Sequence, residues 1–389
     1  MRLVHTSDWH LGRTLHGESL LEHQSAFLAW LLGQAVSLQA DAVVVAGDVY
    51  DRAVPSTDAV ALLDCALRDF AAARIPVVIT SGNHDSAVRL GFGARLTELA
   101  GIHFRTSVAD ITRPVVLGDA DGEVGIYGIP YLLPDAVMDE LGATRSHASV
   151  LAAAVARIRA DATRRGIGRI VVAAHAFITG GLPSDSERDI RVGGIGDAPA
   201  SVFDGISYVA LGHLHGQQNI PAGAAGTTVR YSGSPLAFSF SERNQAKSVT
   251  LADIDAAGQV TTTQLPAPVP RPLREVRGKI DELLARADGD LAGLAAAWVK
   301  VVLTDTVRPA SPMERLREKW PHTLMLDFAP EGGLTGAEAD LARLAADVAD
   351  PTAICGLFVE FTSGGPPDEA QRAVLRDAVE ACQHAETAA

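Results

Sequence analysis

Five short apolar runs in this chain each stop in a cluster of side chains that carry chemistry. Residues 3–7 lead into Asp8-Trp9-His10, and residues 42–46 into Gly47-Asp48-Val49-Tyr50-Asp51. Residues 76–80 lead into Gly82-Asn83-His84-Asp85, residues 170–174 into His175, and residues 208–211 into Gly212-His213-Leu214-His215. Continuous runs rich in valine, isoleucine and alanine are the pattern of strands buried on both faces. Between them lie amphipathic helical patterns. One carries Leu20, Phe27, Leu31 and Ala35, another Val60, Leu63, Leu67 and Phe70, and a third, over about residues 146–165, Val150, Leu151, Ala154 and Ile158. Strands alternating with such helices indicate βαβ units around a covered sheet, an α/β fold. Ligands of such sheets gather beyond the carboxyl ends of the strands, so these distant clusters are expected to meet.

The expected meeting point holds five imidazoles, two to four carboxylates and an amide oxygen. Asp8 and His10 sit at alternate positions, as do His213 and His215, so each pair can point one way. The donor mixture suits a pair of borderline divalent ions such as manganese, iron or zinc better than calcium or a thiolate zinc. Two ions clamp the attacking and leaving oxygens of a phosphoryl displacement and activate a water between them. Asp48 is the candidate bridge. His84 is the candidate acid for the leaving oxygen, with Asp51 or Asp85 fixing its tautomer. Taken singly, Asp8 or Asp48 reads as a helix cap, and any one histidine as a structural residue. His5, His16, His23, His103, His147, His322 and His384 receive that plain reading. Five strand-end clusters in sequence do not arise from structural need.

At 389 residues the chain is too long for one compact core, and two domains with small additions are expected. A formal net charge of −14 argues against holding nucleic acid by the chain's own charge alone. Cys65, Cys355 and Cys382 are few, odd in number and far apart, which fits a reducing cytoplasm rather than a disulfide framework. The N-terminus has no signal-peptide pattern, and no apolar run spans a bilayer. The proline-rich stretch 266–272 is the expected linker between a first domain, 1–265, and a smaller α+β unit, 273–363. Strands are expected at 297–304 and 323–328, and helices at 312–320, at 336–348 and from Asp350-Pro351. A last amphipathic helix occupies about 368–385 within the tail 364–389. Its apolar side either packs on its own domain or docks a partner. Residues 180–198 read as a loop over the site. Tyr131 and Phe177 read as core packing that could also flank a substrate. The arginines from Arg157 to Arg169 read as a solvated helix face rather than a phosphate track.

The five motifs in this order resemble the calcineurin-like metallophosphoesterase superfamily. The opening Met-Arg-Leu-Val-His-Thr-Ser-Asp-Trp-His-Leu-Gly and the stretch Tyr231-Ser-Gly-Ser-Pro-Leu-Ala-Phe-Ser-Phe-Ser-Glu242 narrow the resemblance to its bacterial DNA-end nucleases. The resemblance implies a four-layer α-β-β-α sandwich with a small α+β capping domain and a C-terminal helical tail. It implies one manganese held by Asp8, His10, Asp48 and His215, and a second held by Asp48, Asn83, His175 and His213. Magnesium, iron or zinc are the alternatives. Archaeal and eukaryotic relatives have a histidine where this chain has Asp51, so Asp51 is expected to orient His84 rather than touch phosphate. The implied activity is manganese-dependent double-stranded DNA exonuclease and hairpin endonuclease. The implied partners are an SbcC-type coiled-coil ATPase, DNA ends and a second copy of the chain, in the cytoplasm. A small-molecule phosphodiesterase or protein phosphatase using the same site is the alternative, and a non-catalytic scaffold the third reading.

Overall fold

The computed structural model describes residues 1–187, 197–222, 226–330, 351–363 and 365–387. These divide into two compact units, Met1–Pro270 and Arg271–Ala389.

In the first unit, alternation along each strand sends neighbouring side chains to opposite faces, and both faces find a partner. Leu3, Val44 and Val78 face inward to Ile126, Val171 and Tyr208, making a core between two sheets. Val4, Val43 and Val45 face outward onto Phe27, Leu31, Leu63 and Phe70 of the helices Leu21–Ser37 and Thr57–Ala72. On the other side Val172, Val209 and Leu211 meet Val150, Ala154 and Ile158 of the helix His147–Arg165. The layers are therefore α-β-β-α, as the resemblance implied. Each of these fully buried aliphatic or aromatic side chains contributes about 1.5–3 kcal/mol by leaving water.

The first sheet runs in the order Val260–Pro266, Ser248–Ile254, Arg2–Thr6, Ala42–Ala46, Val77–Thr80, Ile102–Arg105. Its last four strands are mutually parallel, and Ser248–Ile254 returns antiparallel beside Arg2–Thr6. The second sheet runs Gln218–Ile220, Thr228–Tyr231, Tyr208–Gly212, Arg169–His175, Gly122–Ile129, Val115–Asp119, with its middle four parallel. Parallel strands place all their carboxyl ends on one edge of each sheet, and the two edges lie side by side. His5 ties them: its Nδ1 lies 2.8 Å from Tyr208 Oη and its Nε2 3.1 Å from the Leu211 carbonyl. Burial pushes the His5 imidazole down to about 3, so it stays neutral between the sheets.

Sequence reasoning does not find the strand Ile102–Arg105, whose His103 and Arg105 interrupt the apolar run; the helical stretch it reads near residues 90–99 is broken here into the short helices Ala87–Leu90 and Ala94–Thr97. In the second unit, parallel strands Leu273–Gly278, Trp298–Leu303 and Thr323–Phe328 carry the helices Ile280–Ala285 and Pro312–Lys319. Leu283, Val299, Val301, Leu316 and Trp320 form its core. The first of these strands, Leu-Arg-Glu-Val-Arg-Gly, has only two apolar side chains, three residues apart, and also escapes a reading by apolar pattern. Two further helices, Pro351–Ser363 and Glu369–Thr387, pack on each other. Asp368 opens the second: its carboxylate accepts the Gln371 N–H at 2.8 Å while Gln371 accepts the Asp368 N–H at 2.9 Å. The helix expected at 336–348 and most of the second half of the loop at 180–198 lie outside the described residues.

The closeness of the two sheet edges depends on Gly212. A Cβ there would stand 1.8 Å from the Ala46 carbonyl oxygen of the other sheet. Gly212→Ala is expected to cost about 1–3 kcal/mol in urea unfolding, because neither backbone can yield. Gly33, in a helix with open space around it, is the contrasting site. Gly33→Ala should add about 0.5–1 kcal/mol in the same measurement.

Candidate metal centre

The strand ends are bent hard where the candidate ligands sit. Asp8, His10, Asp48 and His213 all adopt positive φ, at 53°, 45°, 49° and 107°. Non-glycine residues rarely do so, and their clustering at one locus marks stored strain of the kind found at functional sites. The bends are held by interlocked backbones. Asp8 N–H donates to the Gly47 carbonyl at 3.1 Å and His10 N–H to the Asp48 carbonyl at 3.0 Å. Gln24, buried on the first helix, donates to the carbonyls of Trp9 and His10 and accepts the Gly12 N–H. Gly82 lets the third strand end approach the second, since a Cβ there would lie 2.1 Å from Asp48 Oδ1.

The bends bring the side chains together. Asp48 Oδ2 lies 3.4 Å from His175 Nε2, 3.6 Å from His10 Nε2 and 4.0 Å from His84 Nε2. His10 Nε2 faces His215 Nε2 at 3.2 Å, and His175 Nε2 faces Asn83 Oδ1 at 2.9 Å. Donor atoms about 2.1 Å from a shared ion stand about 3.0 Å apart in an octahedron and about 3.4 Å in a tetrahedron. The observed edges fall close to that range. Three sets of converging donors result: Asp8, His10 and His215; Asp8, Asp48 and His175; and His10, Asp48 and His84. The His175 Nδ1–H is spent on the Ala46 carbonyl at 3.0 Å, which leaves its Nε2 lone pair for an ion.

Burial, then the charges of His215 and His84, hold the His10 imidazole well below its ordinary range, and burial lowers His175. Neutral imidazole is the form a metal takes. Burial and then the nearby Asp48 charge push Asp8 well above the usual carboxylate range. The same two causes push Asp85 up to about 7 against three backbone N–H bonds. A cation among these groups removes the carboxylate repulsion, which is the electrostatic case for one.

Three expected residues are placed differently from the reading of their side chains. The carboxylate of Asp51 does not pair with His84. The Asp51 backbone carbonyl accepts from His84 Nδ1 at 2.8 Å, while the carboxylate lies 3.7 Å from His10 Nδ1 and 3.5 Å from Arg13. Asp85 does not reach His84 either. Its oxygens accept the N–H groups of Val49, Tyr50 and Gly82 at 2.9–3.1 Å, so it fastens two strand-end loops together. The ring of His213 falls outside the three converging sets and meets the His175 ring edge-on at 5.4 Å. Its backbone N–H donates to both oxygens of Asp8 at 3.0 and 3.2 Å. Sequence reasoning assigns no role to Ser186, Glu187, Glu242 or Lys247, which surround His215. The Ser241-Glu242 pair closing the Tyr231–Glu242 stretch is the signal available for one of them. Burial works against ionised Glu242, but the Lys247 charge and the His215 contact overcome it and hold the carboxyl at about 2.

Residues 1–217 match the sequence profile of the calcineurin-like phosphoesterases, and the chain belongs to that family. It is a metal-dependent phosphoester hydrolase, with a centre for divalent ions. Residues 269–352 match a second family, described as the type 5 capsule protein repressor C-terminal domain. Over most of its length the chain is similar to the SbcD subunit of nuclease SbcCD from Staphylococcus saprophyticus, 29% identical over 333 residues that span 84% of each protein. Among solved structures, it resembles a dimetal phosphatase from Danio rerio at 12% identity and TM-score 0.44, covering 68% of this chain and 96% of that one. It also resembles the calcineurin-like phosphoesterase YfkN from Bacillus subtilis at 14% identity and TM-score 0.40, covering 68% and 90%. Family membership rests on the sequence match.

Because Asp8 must give up its proton to hold a cation, ion binding should release protons and strengthen as pH rises through the raised Asp8 range. Calorimetry of Mn2+ binding in buffers of different ionisation enthalpy reads that release directly. At about 100 times its dissociation constant, one ion should stabilise the fold by about 2.7 kcal/mol, and Asp48→Asn should abolish most of that gain.

Proposed function

We propose that this chain is the nuclease component of a DNA-end-processing complex, a manganese-dependent exonuclease on double-stranded DNA and an endonuclease on hairpins. The observation that carries the reading is the similarity to the SbcD subunit of nuclease SbcCD across both units, since 84% of each protein is covered. The motifs at the strand ends supply the chemistry. We assign one ion to Asp8, His10, Asp48 and His215, and the other to Asp48, Asn83 and His175, with the His213 ring, which lies beside that of His175, completing the second set in the loaded protein. When bound, the ions supply charge neutralisation and an activated water for an in-line displacement at phosphorus. The remaining work falls to the chain. His84 keeps one proton, its Nδ1–H, on the Asp51 carbonyl, so Nε2 is the atom that faces the site; as the imidazolium the ring hands the second proton, on Nε2, to the leaving oxygen and ends neutral. Asp85 holds the Gly82–His84 turn against the loop that carries Asp48.

A chain of net charge −14 gains little DNA affinity from its own surface. An SbcC-type coiled-coil ATPase as partner accounts for the missing cationic surface, and the helix Glu369–Thr387, with exposed Val374, is its docking element in this reading. Val88, Phe92, Leu96 and Leu99 are exposed on consecutive short turns and form the face we assign to a second copy of the chain. No helix among the described residues is long and apolar enough to cross a membrane, and the cytoplasm is the proposed location.

The test is cleavage of linear and hairpin-ended duplexes in Mn2+, with and without the ATPase. Wild type should cut both, and His84→Ala should lose about a hundredfold to ten-thousandfold in kcat while still binding two ions. Intact DNA under every condition, with hydrolysis of a phosphomonoester instead, overturns the nuclease reading and favours a phosphatase.

A further inference from the structure

We propose that Glu242, acting through the Ser186 hydroxyl and braced by Lys247, is the positioning carboxylate that fixes His215 as an ion ligand. The inference rests on the metal-centre reading above and concerns groups outside the ligand set.

An imidazole offers an ion only its unprotonated nitrogen. His215 Nε2 faces His10 Nε2 at 3.2 Å, and with an ion on that nitrogen the ring proton of His215 sits on Nδ1. That atom lies 2.5 Å from Ser186 Oγ and 3.5 Å from Glu242 Oε1. Ser186 Oγ in turn lies 2.5 Å from Glu242 Oε1. A carboxylate can only accept, so the single hydroxyl hydrogen of Ser186 points at Glu242. The Ser186 oxygen is then left to accept from His215 Nδ1–H. The neighbouring Ser184 hydroxyl does not compete, because its hydrogen goes to Glu187 at 2.7 Å. The direction of these hydrogens sets the tautomer that binds an ion.

Lys247 holds the carboxylate end of this relay. Its ammonium pairs with Glu242 Oε2 and also reaches the His215 carbonyl at 3.1 Å and Ser234 Oγ at 3.0 Å. One buried cation therefore grips both the carboxylate and the backbone of the ligand loop. Glu187 closes the arrangement by accepting the His215 N–H at 2.7 Å. Packing alone is served as well by apolar side chains, since a buried ion pair carries a desolvation penalty that its attraction scarcely offsets. Orientation of a ligand explains why the pair is here.

Glu242→Gln is the sharp variant. Oε1 accepts the Phe238 N–H at 3.2 Å as well as facing Ser186, while Oε2 faces an ammonium. An amide has one acceptor and cannot serve both sides. With its oxygen toward Lys247, its NH2 faces Ser186 and turns the hydroxyl hydrogen toward His215. Carboxylates that act on a metal-bound histidine in this way are worth about 10–100-fold in affinity.

The experiment is Mn2+ titration of the full chain by calorimetry, with EPR of the loaded protein. Wild type should take up two ions and show a spin-coupled pair. Glu242→Gln and Ser186→Ala should weaken one ion about 10–100-fold, leave the other unchanged, and convert the coupled signal to that of isolated Mn2+. Ser186→Thr, which keeps the hydroxyl, should restore both. Two ions bound with wild-type affinity in both Glu242→Gln and Ser186→Ala overturns the relay. Fewer than two ions in wild type overturns the metal-centre reading instead. If Glu242→Gln melts early in chelator, the contrast between Ser186→Ala and Ser186→Thr decides the relay alone.

Discussion

The two oxygens of the Asp48 carboxylate face different tasks. Oδ1 accepts the His84 N–H at 2.8 Å, which joins the second strand end to the third. Oδ2 looks into the site, 3.4–4.0 Å from the Nε2 atoms of His175, His10 and His84. Burying such a charge is costly unless a cation compensates it. Its backbone is held at positive φ, and its approach to the third strand end requires Gly82. The two sheets, their parallel edges and the tight turns all serve to hold this carboxylate where three imidazoles can surround it.

The strands that build this centre are legible because parallel strands covered on both faces read as unbroken apolar runs. The residues that end them are legible because imidazoles, carboxylates and an amide recur at five strand ends in sequence, which structural need alone does not produce. Seven of the expected residues, Asp8, His10, Asp48, Asn83, His84, His175 and His215, converge from chain positions as far apart as Asp8 and His215. The partner of a hydrogen bond is not legible in the same way. Asp51 looks like a carboxylate for His84, yet its carbonyl does that work and its side chain turns to Arg13. Sequence can place a residue at a strand end, but not say which of its oxygens faces the neighbour. Asp85 misleads for a related reason: three backbone N–H groups outcompete one imidazole for its oxygens.

The supports of His215 are hidden for another reason. Ser186 and Glu187 lie on an irregular loop, Glu242 closes the Tyr231–Glu242 stretch without a role legible for it there, and Lys247 lies just before the strand Ser248–Ile254. Nothing periodic links them, and only the folded chain sets them around one imidazole. The second unit is legible in outline, because Trp298–Leu303 and the helix Pro312–Lys319 have clear patterns. Its first strand, Leu273–Gly278, exposes Arg274, Glu275 and Arg277 and has no run of apolar residues to mark it.

The most direct test is anomalous diffraction from crystals of the full chain grown with Mn2+. This account predicts two peaks about 3.5–4 Å apart with Asp48 Oδ2 between them, one beside His10 and His215 and the other beside His175 and Asn83. A single peak, or two that leave Asp48 uncoordinated, would contradict it.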